Sequence, residues 1–198
     1  MLRTPFPLPA GEGLRLREWT EADVTALSAL FDEPEMARWT PLRTPFDEAA
    51  AREYVTRAHE RRAAGQALQF AITTDGQTPM GEVLLFMAAQ DGSQVELAYG
   101  IGAPYRRRGL ASRAVRVLLP HAFHDPAVRR AVLRIEPSNA PSAAVARATG
   151  FQLTEEPPVL RENDTRSVKL QTWQVRREAM AGHHSGHDSG HDSGRASY

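Results

Sequence analysis

Three consecutive arginines, Arg106, Arg107 and Arg108, stand in the stretch PYRRRGLASRAV, and Gly109, Leu110 and Ala111 follow them directly into a helical pattern. A helix N-terminus exposes backbone N–H groups that have no internal acceptor, at the positive end of the helix dipole. Small residues let an anion approach that backbone closely, and guanidinium forks match phosphate oxygens. The junction therefore reads as an anion site, against the plainer reading of a solvated turn. It is not a nucleoside-triphosphate P-loop, because no glycine precedes a Lys-Ser or Lys-Thr pair. The G-x-G-x-x-G turn of a dinucleotide fold is missing too. The chain has no cysteine, which removes disulfides, thiolate zinc sites and a cysteine nucleophile together.

The 198 residues suit one domain with tails. Hydrophobic residues make up 41% and charged residues 24%, the balance of a soluble globular chain. Lys plus Arg equals Asp plus Glu at 24 each, which argues against a nucleic-acid partner, since such binding needs a net basic face. No stretch approaches the ~20 apolar residues of a membrane span and no leader of signal type is present, so the expected compartment is the cytoplasm.

Elements follow from periodicity. Residues 1–13 read as an irregular leader, and LRLREW alternates as a strand. Thr20 and Asp23 then open a helix with Val24, Leu27, Leu30 and Phe31 on one face. DEPEMARWTPLRTP is broken by three prolines and reads as loop with one helical turn, and FDEAAAREYVTRAHERRAAG as a helix ended by Gly65. ALQFAITT, PMGEVLLFMAA and QVELAYGI, joined across Asp75-Gly76 and Asp91-Gly92, form an antiparallel meander. The arginine junction starts the next helix, which Pro120 should bend or interrupt. RRAVLRIE is a strand, SNAPSAAVARATGF a helix capped by Asn139 and ended by Gly150, and SVKLQTWQVRR a last strand paired with FQLTEE across the loop PPVLRENDTR. The result is an α/β sheet of mixed direction with a strand-to-helix crossover in its middle. The end of the chain repeats SGHD and should be a disordered His/Gly/Ser-rich tail over 179–198, with incidental metal affinity only.

With these elements in place the residues resemble a family. Arg106-x-x-Gly109-x-Ala111 is similar to the pyrophosphate loop of the GNAT superfamily of N-acetyltransferases, and VELAYGIGAPYRRRGLASRAV to the strand, loop and helix around it. NAPSAAVARATGF resembles that family's later Asn-led helix, and LRLREWTEADVTALSALFDEPEMARWT its opening; the subgroup most similar is that of ribosomal-protein alanine and serine N-terminal acetyltransferases. The resemblance implies a single GNAT-like domain over 14–178: a mixed, mostly antiparallel sheet with a splayed central strand pair, flanked by helices. It implies acetyl-CoA as co-substrate, no metal, an amine acceptor, and an arrangement that is often dimeric in relatives. The backbone N–H groups of Arg107, Arg108, Gly109, Leu110 and Ala111 would hold the pyrophosphate, with Arg106 and Ser112 beside them. The strand edge at Ala98, Tyr99, Gly100 and Ile101 would pair with the pantetheine arm as an added strand does, a bulge N–H there facing the thioester carbonyl. Asn139 would bond near that arm.

Acetyl transfer to an amine sets three demands. The amine must lose a proton, because an N-terminus titrates near ~8 and a lysine near ~10.4. The oxyanion needs donors in place beforehand. The thiolate leaves more easily if a group protonates it. Glu96, on the VELAYGI strand, is the first candidate for the base and Glu82, on the preceding strand, the second; alternation alone does not say which face either takes. Ser142 matches the subgroup's serine near the sulfur and is the candidate acid, although a serine in a first helical turn commonly bonds backbone N–H groups instead. A catalytically silent CoA-binding module is the other reading. The acceptor side is expected in DEPEMARWTPLRTP and EEPPVLRENDTR, with Trp39 as a wall and Glu35, Glu155, Glu156, Glu162 and Asp164 as charges suited to a cationic amine.

Overall fold

The computed structural model describes residues 2, 10–162 and 167–181. Most of the leader, Asp164 and the histidine-rich tail from 182 onward lie outside the described residues. Ala10–Gly11 of the leader forms a short strand β1, paired with β2, Leu14–Glu18. Thr20 opens the helical segment with a capping box: its N–H donates to the Asp23 carboxylate at 2.9 Å, and Arg17 grips the same carboxylate at 2.7 Å. One 3₁₀ turn, Glu21–Asp23, leads into α1, Val24–Phe31. The proline-broken stretch holds a six-residue helix α2, Pro34–Trp39, more than the single turn expected. The Glu33 carboxylate caps it, accepting from Met36 N–H at 3.0 Å, and Pro34 sits in its first turn, where no N–H is needed. Asp47 caps α3, Glu48–Ala63.

The sheet follows. Strands β3 (Ala67–Thr73), β4 (Gly81–Met87) and β5 (Gln94–Ile101) form the expected antiparallel meander. Helix α4, Leu110–Ala122, crosses over to β6, Arg130–Ile135, which is parallel to β5. Pro120 lies in the last turn of α4, and the helix closes two residues later. Helix α5, Ala140–Ala148, is followed by β7, Gln152–Leu153, then β8, Val159–Glu162, β9, Ser167–Arg176, and α6, Arg177–Ala181. Two expectations for this end need correcting. β9 pairs with β6 over Gln171–Arg176, while its FQLTEE partner shrinks to the two residues of β7. The segment read as loop holds β8, which pairs with the outer end of β9. The signal was weak there because VLRE is short and follows two prolines.

The described strands order as β1-β2-β3-β4-β5-β6-β9-β7, with β8 on β9 and only the β5–β6 pair parallel. Each face has its own core. On one face Val83, Leu85, Val95 and Leu97 pack with Leu110, Ala114, Val115 and Leu118 of α4. On the other, Trp19, Leu27, Phe31, Phe46 and Val55 gather under α1 and α3. Parallel pairing between β5 and β6 runs only from Gln94↔Arg130 to Glu96↔Val132. Beyond it the strands part, and Leu97–Ile101 has no strand partner on that side among the described residues. This is the splayed central pair that the resemblance implied.

Candidate active site

The splay opens a cavity of about 550 Å³. Glu82, Leu84 and Phe86, at every second position of β4, line it, and from β5 the whole run from Glu96 to Gly100, whose edge the splay exposes. In the antiparallel register Glu82 lies opposite Gly100, and Phe86 opposite Glu96. Asn139 and Ser142 line the cavity from α5, Trp39 from α2, and Arg161 and Glu162 from β8.

The arginine loop lies at the foot of α4. Gly109 caps the helix at φ +69°, left-handed backbone that favours glycine, and Arg107 takes φ +61° two residues earlier. This kinked path leaves the backbone N–H groups from Arg107 to Ser112 without a protein acceptor among the described residues; Arg113 N–H is the first to be bonded, to Gly109 C=O at 3.0 Å. Six unpaired donors around an exposed glycine are a cradle for an anion. The three side chains differ. Arg106 turns away from the loop: its Nε donates to Ile101 C=O at 3.0 Å, and its guanidinium pairs with Glu33 and Glu35 at the start of α2. Arg108 donates to Pro104 C=O at 3.1 Å and lies over the Tyr105 ring, while Arg107 is exposed.

The two candidate bases have different surroundings. Glu96 is buried and its carboxylate is held by Arg161, 2.7 Å from Oε1 and 2.5 Å from Oε2. Its pKa is raised on balance: burial pushes it up by more than Arg161 and then Arg134 pull it down. Glu82 is equally buried, at 4% exposure, and no cation among the described residues pairs with it. Tyr54 O–H donates to its Oε1 at 2.7 Å, and its Oε2 has no partner. Burial pushes its pKa up to about 7, against smaller opposing pulls from Tyr54 and from the nearby indole of Trp19. That indole N–H does not reach bonding geometry and is itself unpartnered. The Tyr54 phenol, driven well above its ordinary range by burial beside Glu82, stays a donor.

On the far side, Asn139 Oδ1 accepts from Ser142 N–H at 3.0 Å, as a helix cap. Tyr99 O–H donates to Ser142 C=O at 3.2 Å, and burial lifts that phenol to about 12. The Ser142 hydroxyl has no protein partner among the described residues and lines the cavity. Met36 packs on Gly100, where an added Cβ would come within 2.6 Å of its Cε. Of the loop acids expected to face an amine, Glu35 is engaged by Arg106 and Glu156 by Arg130. Among the described members of that set, Glu162 alone lines the cavity.

Tyr54, Arg134 and Arg161 were not foreseen. Tyr54 shares the buried stripe of α3 with Ala50, Ala51, Val55 and Ala58, where a tyrosine reads as packing. Arg161 stood in a segment read as loop. Arg134 alternates on β6 in a way the sequence does show, but its face is set by the splay.

The chain matches the family model of the acetyltransferase (GNAT) domain over residues 13–152 and belongs to that family. Membership makes it an acetyltransferase that draws on acetyl-CoA, as the resemblance implied. No curated protein sequence matches it. Similar solved structures include RimJ of Mycobacterium smegmatis in complex with a CoA-disulfide, 20% identical over 84% of this chain and 83% of that one, with a TM-score of 0.72. The ribosomal alpha-N-protein acetyltransferase RimL, in complex with coenzyme A, is 19% identical over 86% and 98%, at 0.73. The enzyme AAC(6')-Ib, in complex with ribostamycin and coenzyme A, is 18% identical over 87% and 98%, at 0.69. Likeness at these identities establishes the fold.

Proposed function

We propose that this chain is an N-acetyltransferase that moves the acetyl group of acetyl-CoA to a primary amine by direct attack in a ternary complex, with Glu82 as the base. The observation that carries this is a buried carboxylate with one free oxygen, facing Gly100 across the β4–β5 register at the splay. A base works best when its pKa lies near the operating pH, and Glu82 is pushed up to about 7. Glu96, the first candidate from sequence, has both carboxyl oxygens engaged by Arg161 and keeps that arginine in the cavity.

Acetyl-CoA supplies the activated thioester; the chain's residues place it and manage protons. The N–H groups from Arg107 to Ser112 hold the pyrophosphate, with Arg107 and Arg108 adding charge outside. Arg106 braces the loop against α2. The free edge of β5 through Ala98, Tyr99, Gly100 and Ile101 pairs with the pantetheine arm, and a backbone N–H there meets the thioester carbonyl. Asn139 fixes the start of α5, so that the Ser142 hydroxyl donates toward the leaving sulfur. Glu82 takes the proton of the incoming ammonium, and Trp39 walls the acceptor side.

Calorimetric titration with acetyl-CoA, CoA and ATP tests the cradle. Acetyl-CoA and CoA are expected to bind and ATP not. Gly109→Glu should abolish that binding, because it sets a negative side chain in the cradle; binding at wild-type strength would sink the assignment. For Glu82→Gln, kcat should fall ~10²–10⁴-fold while the acetyl-CoA Kd stays put, the signature of a lost proton transfer. Unchanged kcat across pH would return the role to Glu96.

A further inference from the structure

Six of the chain's seven histidines fall in two groups that the transfer reaction leaves unused. His121 and His124 stand one turn apart at the end of α4, and His183, His184, His187 and His191 follow α6. The seventh, His59, is bonded through Nε2 to Trp19 C=O at 2.8 Å. The His121 and His124 rings meet edge to face, with 79° between their planes and 5.0 Å between centroids. His124 is exposed, and His121 is half-buried with its Nδ1 buried and unpartnered among the described residues. Two rings pack edge to face without a ligand, but a buried ring nitrogen left unpaired costs free energy that packing does not explain. A ligating imidazole sets its ring centre ~3.2 Å from a zinc ion, so two such rings on a tetrahedral ion stand ~5.2 Å apart. The 5.0 Å of this pair fits that spacing.

Two imidazoles make half of a tetrahedral set. Among the described residues no group of three or more His, Asp or Glu side chains could hold a metal ion, so the other half must come from beyond them. Helix α6 brings the chain to the right place. Its first residue, Arg177, donates from Nε to Val128 C=O at 3.0 Å and from Nη2 to Asp125 C=O, and its guanidinium lies 5.5 Å from the Phe123 ring centroid. Phe123 and Asp125 are the chain neighbours of His124. From Arg177 to Ala181 the helix advances only ~6 Å. His187 follows six residues later, a reach of up to ~20 Å, enough to return to the pair whichever way α6 points. We infer that His121 and His124 are two ligands of a zinc ion whose remaining ligands come from His183, His184, His187 and His191, which fastens the end of the chain to the end of α4. On its own such a histidine tract holds metal only incidentally; joined to two ligands already fixed on the fold, its affinity rises without a new contact. The site lies ~17 Å along α4 from the anion cradle, and acetyl transfer does not pass through it.

The test is calorimetric titration of the full chain with zinc chloride, and with magnesium chloride as the control. Three variants are titrated beside it: His124→Ala, the chain with His183, His184, His187 and His191 all changed to Asn, and the two changes together. His124 is exposed, so its variant folds. The wild-type chain is expected to bind one zinc ion about tenfold or more tightly than either altered chain. The combined variant should lose little more than either change alone, because each removes half of one site. His121→Ala should lose as much as His124→Ala. Magnesium, which demands oxygen ligands, should not bind comparably. Zinc held as tightly by His124→Ala as by the wild type would place the affinity in the tail alone and overturn the inference. Losses that add in full in the combined variant would make two independent sites and overturn it too. So would a loss confined to His124→Ala, which takes the tail out of the site, or magnesium bound as tightly as zinc, which points to carboxylates instead.

Discussion

Glu82 couples chemistry to stability through one carboxylate. Tyr54 donates to it at 2.7 Å and so holds its pKa below the level that burial alone would set. Tyr54→Phe removes that donor. The acid limb of the kcat/KM profile, expected near pH 7 in the wild type, should move to higher pH, with kcat at the plateau falling less than in Glu82→Gln. A limb that stays in place would detach Tyr54 from the base. Stability follows the same shift. A carboxyl whose folded pKa is raised contributes stability fully present below its unfolded value, ~4.5, and lost as pH rises through about 7. Glu82→Gln should therefore gain unfolding free energy relative to wild type more at pH 8 than at pH 5, by a difference on the order of 3 kcal/mol at most, read by urea unfolding at the two pH values. Both glutamates were legible as candidates from their place in consecutive strands. Their ranking was not, because it depends on Arg161 and Tyr54, which are 65 and 28 residues away from the carboxylates they touch. GEVLLFM is apolar on both faces, so alternation gave no orientation to Glu82.

At the scale of elements, the short helix α2 ties the cofactor side to the acceptor side. Its capping residue Glu33 pairs with Arg106, its Met36 rests on Gly100, and its Trp39 lines the cavity. Arg106 is thus a brace between the loop and the wall, although the sequence pattern placed it with the phosphate ligands. Arg106→Ala should speed hydrogen exchange in Pro34–Trp39 and raise the acceptor KM, with a smaller effect on CoA affinity; the reverse ranking would make Arg106 a phosphate ligand after all. The meander, the capped helix α5 and the loop were readable because each rests on local chemistry: the Asp-Gly turns, Asn139, Gly109. The segment β8 was not, because four residues gain strand structure only by pairing with β9. The splay was not readable from composition either. It is set by β5 and β6 parting after Glu96↔Val132, a tertiary event that the family pattern carries and periodicity does not.

The whole molecule places the site in one sheet shared by two cores. Trp173 belongs to the core under α4, and Trp19 to the core under α1 and α3. β4 and β5 serve both, since Val83 and Val95 face one way and Glu82 and Gly100 the other. A sheet that cannot lose one face without exposing the other should unfold as a unit. Leu118, fully buried in α4, lies on the face opposite the cavity. Leu118→Ala should cost ~2–5 kcal/mol, a large share of the ~5–15 kcal/mol of a typical domain. In urea, fluorescence from Trp19 (with Trp39 and Trp173 replaced by Phe) and from Trp173 (with Trp19 and Trp39 replaced) should report one midpoint, and Leu118→Ala should lower both together. Separate midpoints, or a shift confined to Trp173, would show that the two faces fold independently. The position of Glu82 opposite Gly100 would then rest on the α1–α3 face alone.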